Sequence, residues 1–119
     1  MAKSVDDTVL DAALDNIATS TVMHVCSAQP ANFAGIAAVS LANVAMAGGD
    51  YVKADGTTGR KVTVGAKSAI PVTATGTANH VALATGSLLK YVTTATAQAL
   101  TSGNTVSTPA WSVTLADPT

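Results

Sequence analysis

The chain has 119 residues, a formal net charge of -1 and a pI near 6.0, so it carries no global basic field to draw in nucleic acid or anionic lipid. Charged residues make up only 11%, and glutamate is absent altogether, which leaves a surface of Ser, Thr, Ala, Gly and Asn. The 48% hydrophobic content is largely alanine; Phe33, Tyr51, Tyr91 and Trp111 are the whole aromatic complement, so one thin core is expected within a single β-rich domain spanning 1–119. A thin core favours added stabilisation from self-association or from docking onto a larger body.

Residues 4–17 predict one amphipathic helix, its body over about 5–18. Val9, Leu10, Ala13, Leu14 and Ile17 recur at three-to-four spacing, with Asp7, Asp11 and Asp15 mostly on the other side. Ser4 with Asp7 reads as a capping-box-like start. The apolar face must cover either the protein's own sheet or a neighbouring subunit.

Residues 22–27 predict the first strand and 28–35, with Pro30 and Asn32, a loop carrying Phe33. An aromatic at that place reads as a plug at the end of a sandwich ahead of an anchor for a partner. Residues 39–46 predict a second strand, with helix left open by their Ala content, Gly48-Gly49 a turn and 51–54 a short strand. Asp55-Gly56, extended to Gly59, is a strong hairpin signal into 60–66, where Val62 and Val64 share one face and Lys61 and Thr63 the other.

Pro71 places the 70–74 alternation at an edge or a bulge. Further strands are expected over 77–84 and 88–94, joined at Gly86-Ser87, and over 97–100 and 106–115, joined around Ser102, Gly103 and Asn104. Trp111, Val113 and Leu115 form the inward stripe of the last. About eight short antiparallel strands after one helix indicate a mainly β fold, a small sandwich or barrel.

The residues that carry chemistry are few. His24 and His80 each fall inside a strand, and with Cys26 and scattered aspartates they lack any zinc spacing, so no metal or cofactor is expected. Cys26 and His24 share a strand face, but no third orienting group is identifiable. Asp50, Asp55 and Asp117 sit at turns or at the terminus rather than as paired catalytic carboxylates. Neither a phosphate-binding glycine loop nor a nucleophile elbow occurs, so no catalytic, cofactor-binding or metal residue is assigned and no enzymatic activity is expected.

Lys53, Arg60 and Lys61 flank one hairpin, too few and too poor in aromatic neighbours for a nucleic-acid groove. The acidic start and the basic middle, with Lys67 and Lys90, form an acid-to-base axis that suits either subunit orientation or a solvated helix face and edge lysines. No run approaches a membrane span, no secretory signal is read in the first residues, and a lone Cys26 suits a reducing cytoplasm.

Residues 6–14 (Asp-Asp-Thr-Val-Leu-Asp-Ala-Ala-Leu), 59–64 (Gly-Arg-Lys-Val-Thr-Val), 99–106 (Ala-Leu-Thr-Ser-Gly-Asn-Thr-Val) and the closing Pro109-Ala110-Trp111 to Asp117 resemble small virion proteins of tailed bacteriophages, most of all head decoration (cement) proteins. The resemblance implies a non-enzymatic subunit on the outside of an assembled capsid. Its expected partners are the major capsid protein and further copies of itself, with no nucleic acid and no membrane. It implies assembly in the host cytoplasm and a final place on the virion surface. A tail or head-fibre component, or a receptor-binding adhesion module, is the alternative expectation, and a small hydrolase or metal enzyme a third.

Overall fold

The computed structural model describes residues 4–116. It is mainly β, with nine antiparallel strands arranged as open sheets in a sandwich-like fold rather than a closed barrel, preceded by an N-terminal helix. That helix, α1 (Asp7–Ile17), starts three residues later than the sequence suggests because Asp6, not Ser4, is its cap: the Asp6 carboxylate accepts the Thr8 amide at 2.8 Å and the Thr8 hydroxyl at 2.6 Å. An acceptor at this position satisfies one of the orphan amides of the first turn. Only part of the anticipated apolar stripe is used. Leu10 and Leu14 are buried and Ile17 packs against the core, whereas Val9 is 60% exposed.

The strands are β1 (Val22–Cys26), β2 (Ser40–Ala45), β3 (Tyr51–Asp55), β4 (Arg60–Val64), β5 (Lys67–Pro71), β6 (Gly76–Ala84), β7 (Leu89–Leu100), β8 (Thr105–Thr108) and β9 (Trp111–Leu115). They form three sheets, ordered β2-β1-β6-β7, β3-β4-β9 and β5-β8. Between β1 and β2 the region read as a loop contains a short helix, α2 (Phe33–Val39), capped by Asn32, whose side chain accepts the Gly35 amide at 2.9 Å. Val39 therefore ends a helix instead of opening a strand. Phe33 is the first residue of α2 and stays 38% exposed.

Two strand boundaries also differ from the expected ones. The segments expected over 88–94 and 97–100 are one 12-residue strand, β7, and the strand expected over 106–115 is two, β8 and β9. Pro109 lies between them, where its missing amide hydrogen ends the ladder. The 51–64 hairpin forms as expected, with Tyr51 opposite Val64 and Asp55 opposite Arg60. Pro71 ends β5, an edge strand whose register with β8 is irregular between Lys67 and Ile70; Ala69 within that irregularity has φ 55°.

Side chains from every layer meet in one core. Leu14 comes from α1, Met23, Val25 and Leu83 from the first sheet, Val62, Val64 and Val113 from the second, and Ile70 and Val106 from the third. Tyr51 is the one aromatic within this buried cluster, its hydroxyl donating to the Ser20 carbonyl at 2.9 Å. Burial, helped by the nearby Asp50 charge, pushes the Tyr51 phenol up to about 12. Tyr51→Phe removes that donor while keeping the ring, so a loss of about 1 kcal/mol is expected in urea-unfolding equilibria. The radius of gyration is 15.2 Å, against about 13–14 Å for a rounded domain of this size, in keeping with principal extents of 53 × 25 × 25 Å.

Candidate functional site

The two imidazoles lie in the first sheet. In β1, His24 is half-buried and its Nδ1 lies 3.0 Å from the Ser40 hydroxyl of β2. His80, in β6, stands opposite Cys26 in the ladder, and its Nδ1 lies 2.6 Å from the Asn79 side-chain oxygen. Each ring therefore has one hydrogen-bonded nitrogen, as an ordinary sheet histidine does. Cys26 is fully buried, and burial pushes its thiol up to about 11, which keeps it protonated and unreactive at neutral pH.

Burial also holds the His24 pKa below its ordinary 6.5. The unfolded chain then binds the proton more readily than the folded one, so stability is intact above 6.5 and falls as the pH drops below that value. A thermal-midpoint series is expected to show this decline and His24→Gln to flatten it. Asp50 and Asp6, whose pKa values are lowered from 3.8, act only at more acid pH. For Asp50 the cause is first the Ala47 amide, at 2.7 Å, and then Lys67; for Asp6 it is the two bonds from Thr8.

The charges that are segregated along the sequence meet in space. Arg60 of β4 binds Asp11 of α1 at 2.9 Å and Asp55 of β3 at 2.7 Å, and both carboxylates raise its pKa. Lys53 reaches Asp15 at 2.7 Å, Lys67 reaches Asp50 at 3.0 Å, and Lys90 donates to the Asn16 side chain at 2.6 Å. Two of the aspartates of α1, Asp11 and Asp15, thus dock on basic residues of the second sheet, so part of the acid-to-base axis is paired within the molecule. Lys61 stands on the outer face of the second sheet, opposite Ala54 and Thr114. Asp117 lies outside the described residues. Among the described residues no three His, Cys, Asp or Glu side chains come together, and no helix is long and apolar enough to cross a membrane.

Two hollows remain. A small one of about 280 Å³ lies between α2 and β1, lined by Phe33, Ile36, Ala37 and His24 among others. A larger cleft of about 470 Å³ opens between β7 and the β8–β9 segment, over a floor of Val25, Ala78, Val81 and Val106. Where β7 borders this cleft its register against β6 shifts. Thr94 pairs with His80 and Gln98 with Ala78, so three residues of β7 face one of β6. The inward-facing set changes parity across the shift: Thr93 pairs with the buried Val81, then Gln98 with the buried Ala78. Residues 94–99, Thr-Ala-Thr-Ala-Gln-Ala, are all exposed and none is charged.

At one end of the cleft the Tyr91 ring stacks on Trp111, with centroids 6.0 Å apart. Two of the lining residues carry a buried polar atom with no hydrogen-bond partner among the described residues: Thr108 Oγ1 and Trp111 Nε1. Neither the cleft nor its orphaned donors were visible from the sequence, because strands far apart in the chain form the walls. The signal that was present is the uncharged Thr/Ala stretch itself, whose residues are the exposed part of β7. No protein-family model, no curated protein and no solved structure matches this chain.

Proposed function

We propose that the chain is a non-enzymatic structural subunit of a tailed-bacteriophage virion, a head decoration protein that adds to the outside of the assembled capsid. The observation that carries this reading is the uncharged, small-side-chain surface along residues 94–99 of β7. Thr, Ala and Ser side chains lose little rotamer entropy when immobilised, so a wide contact made with them costs less ordering than one made with Lys or Glu. The internal neutralisation of Asp11, Asp15 and Asp50 supports the same reading, since it removes charges that a flat protein contact would have to desolvate. On this reading the partner is the major capsid protein of an assembled shell, met by several copies of this chain on the virion surface, as the resemblance to phage head proteins implies.

A ligand that binds the assembled shell and not its free subunits stabilises the shell by mass action. Purified protein added to preformed capsids that lack it is expected to cosediment with them and to raise their melting temperature, and to ignore unassembled capsid protein. Capsids whose melting is unchanged and which leave the protein in the supernatant would defeat the reading. Binding to host cells without capsid affinity would instead place the chain in a tail or head fibre.

A further inference from the structure

The larger cleft lies over the face of the first sheet and is bordered by three strands that each have a single hydrogen-bonded neighbour. Side chains of a strand alternate between its two faces, so a strand that presents only a face lines a hollow with every second residue. The borders of this one are the consecutive residues 93–96 on one side and 106–109 on the other, continuing to Trp111 and Ser112. In the sheet order β7, β8 and β9 each have a single hydrogen-bonded neighbour, namely β6, β5 and β4. Three strands that each have one unpaired edge thus border one opening, and the shifted register of residues 94–98 occurs at its rim.

We propose that this seam receives an extended, uncharged polypeptide strand from a partner protein, added along the edge of β7 with alternate side chains entering the apolar floor. Two features set the chemistry of the occupant. Edge strands offer amide donors and carbonyl acceptors at strand spacing, which another polypeptide backbone matches along its length. No charged side chain lines the cleft, so a Lys or Asp directed inward would be desolvated without a counter-charge, and a nucleic-acid backbone would find no cation. The inference uses the same stretch of β7 as the virion reading, but its test needs no capsid, so the failure of one is distinguishable from the failure of the other.

Trp111 is the only tryptophan of the chain and lines the cleft, so its emission reads occupancy directly. The probe is a capped peptide of about six alternating Thr and Val residues, a typical strand length. Its titration is expected to give a saturable blue shift and to slow amide exchange in β7 and β8 by about tenfold or more at saturation. The same peptide with a central lysine is expected to bind at least about tenfold more weakly.

Ala95→Arg puts bulk and charge into the wall at an exposed position. It should abolish the shift while leaving the unfolding midpoint of the protein unchanged. Emission and exchange that stay constant throughout the titration would overturn the proposal, as would equal affinity for the lysine peptide. Cleft amides that become protected simply as the protein's own concentration rises would also overturn it, because the occupant would then be a second copy.

Discussion

Leu14→Ala is expected to destabilise the protein by about 3 kcal/mol, measured as a lower urea midpoint with an unchanged slope. Leu14 is wholly buried and is the α1 residue inside the buried core cluster, with Ile17 packed beside it, where the helix lies across β4, β7 and β9. Truncation removes its burial energy and leaves a cavity that two open sheets cannot easily collapse to fill. Because a domain of this size has only about 5–15 kcal/mol in total, the loss is a large fraction. Val9→Ala provides the contrast. Val9 belongs to the same apolar periodicity in sequence but is 60% exposed, and its truncation is expected to stay within about 0.5 kcal/mol. Equal effects at the two positions would mean that α1 does not sit as described.

Gly59→Ala is the second large effect, expected to cost more than about 2 kcal/mol and to loosen the pairing of β4 with β9. Gly59 has φ +71°, and a Cβ built there would lie 2.0 Å from the Leu115 carbonyl oxygen and 3.0 Å from Ala116. Both neighbours are backbone, so the strain cannot be relieved by a rotamer change. Arg60, the next residue, pairs with Leu115, which means the displaced carbonyl belongs to the same ladder. Gly103 isolates the two contributions, since it has φ +92° but no atom within 4 Å of an added Cβ. Gly103→Ala is expected to cost only about 1 kcal/mol, the conformational share alone. Amide exchange in β9 should rise in the Gly59 variant and not in the Gly103 variant.

Local signals carried most of the fold. The Asp55-Gly56 hairpin, the Val62/Val64 alternation and the helix ending at Ile17 all rest on interactions within a few residues, and all were legible. The α2 helix was not, because seven residues containing Gly35 and two β-branched side chains have weak intrinsic helicity and form only against β1. The unity of β7 was hidden by its own bulge: the change of parity between Thr93 and Gln98 breaks the period-two pattern that defines a strand. Of the candidate site, the neutral composition of residues 94–99 was readable, whereas the meeting of β7 with β8 and β9 depends on long-range pairing. The pairing of Asp11 and Asp15 with Arg60 and Lys53 was equally hidden, because it spans separate elements.

That internal pairing has a kinetic consequence. With a formal net charge of only -1, and with Arg60, Lys53 and Lys67 each held by an aspartate of the same molecule, the net field available to steer a partner is small. Encounter with any large partner then proceeds without long-range guidance, at the unsteered rate of roughly 10⁵–10⁶ M⁻¹s⁻¹. Such an association depends little on ionic strength, and its lifetime is governed by how well the neutral surfaces fit once they touch.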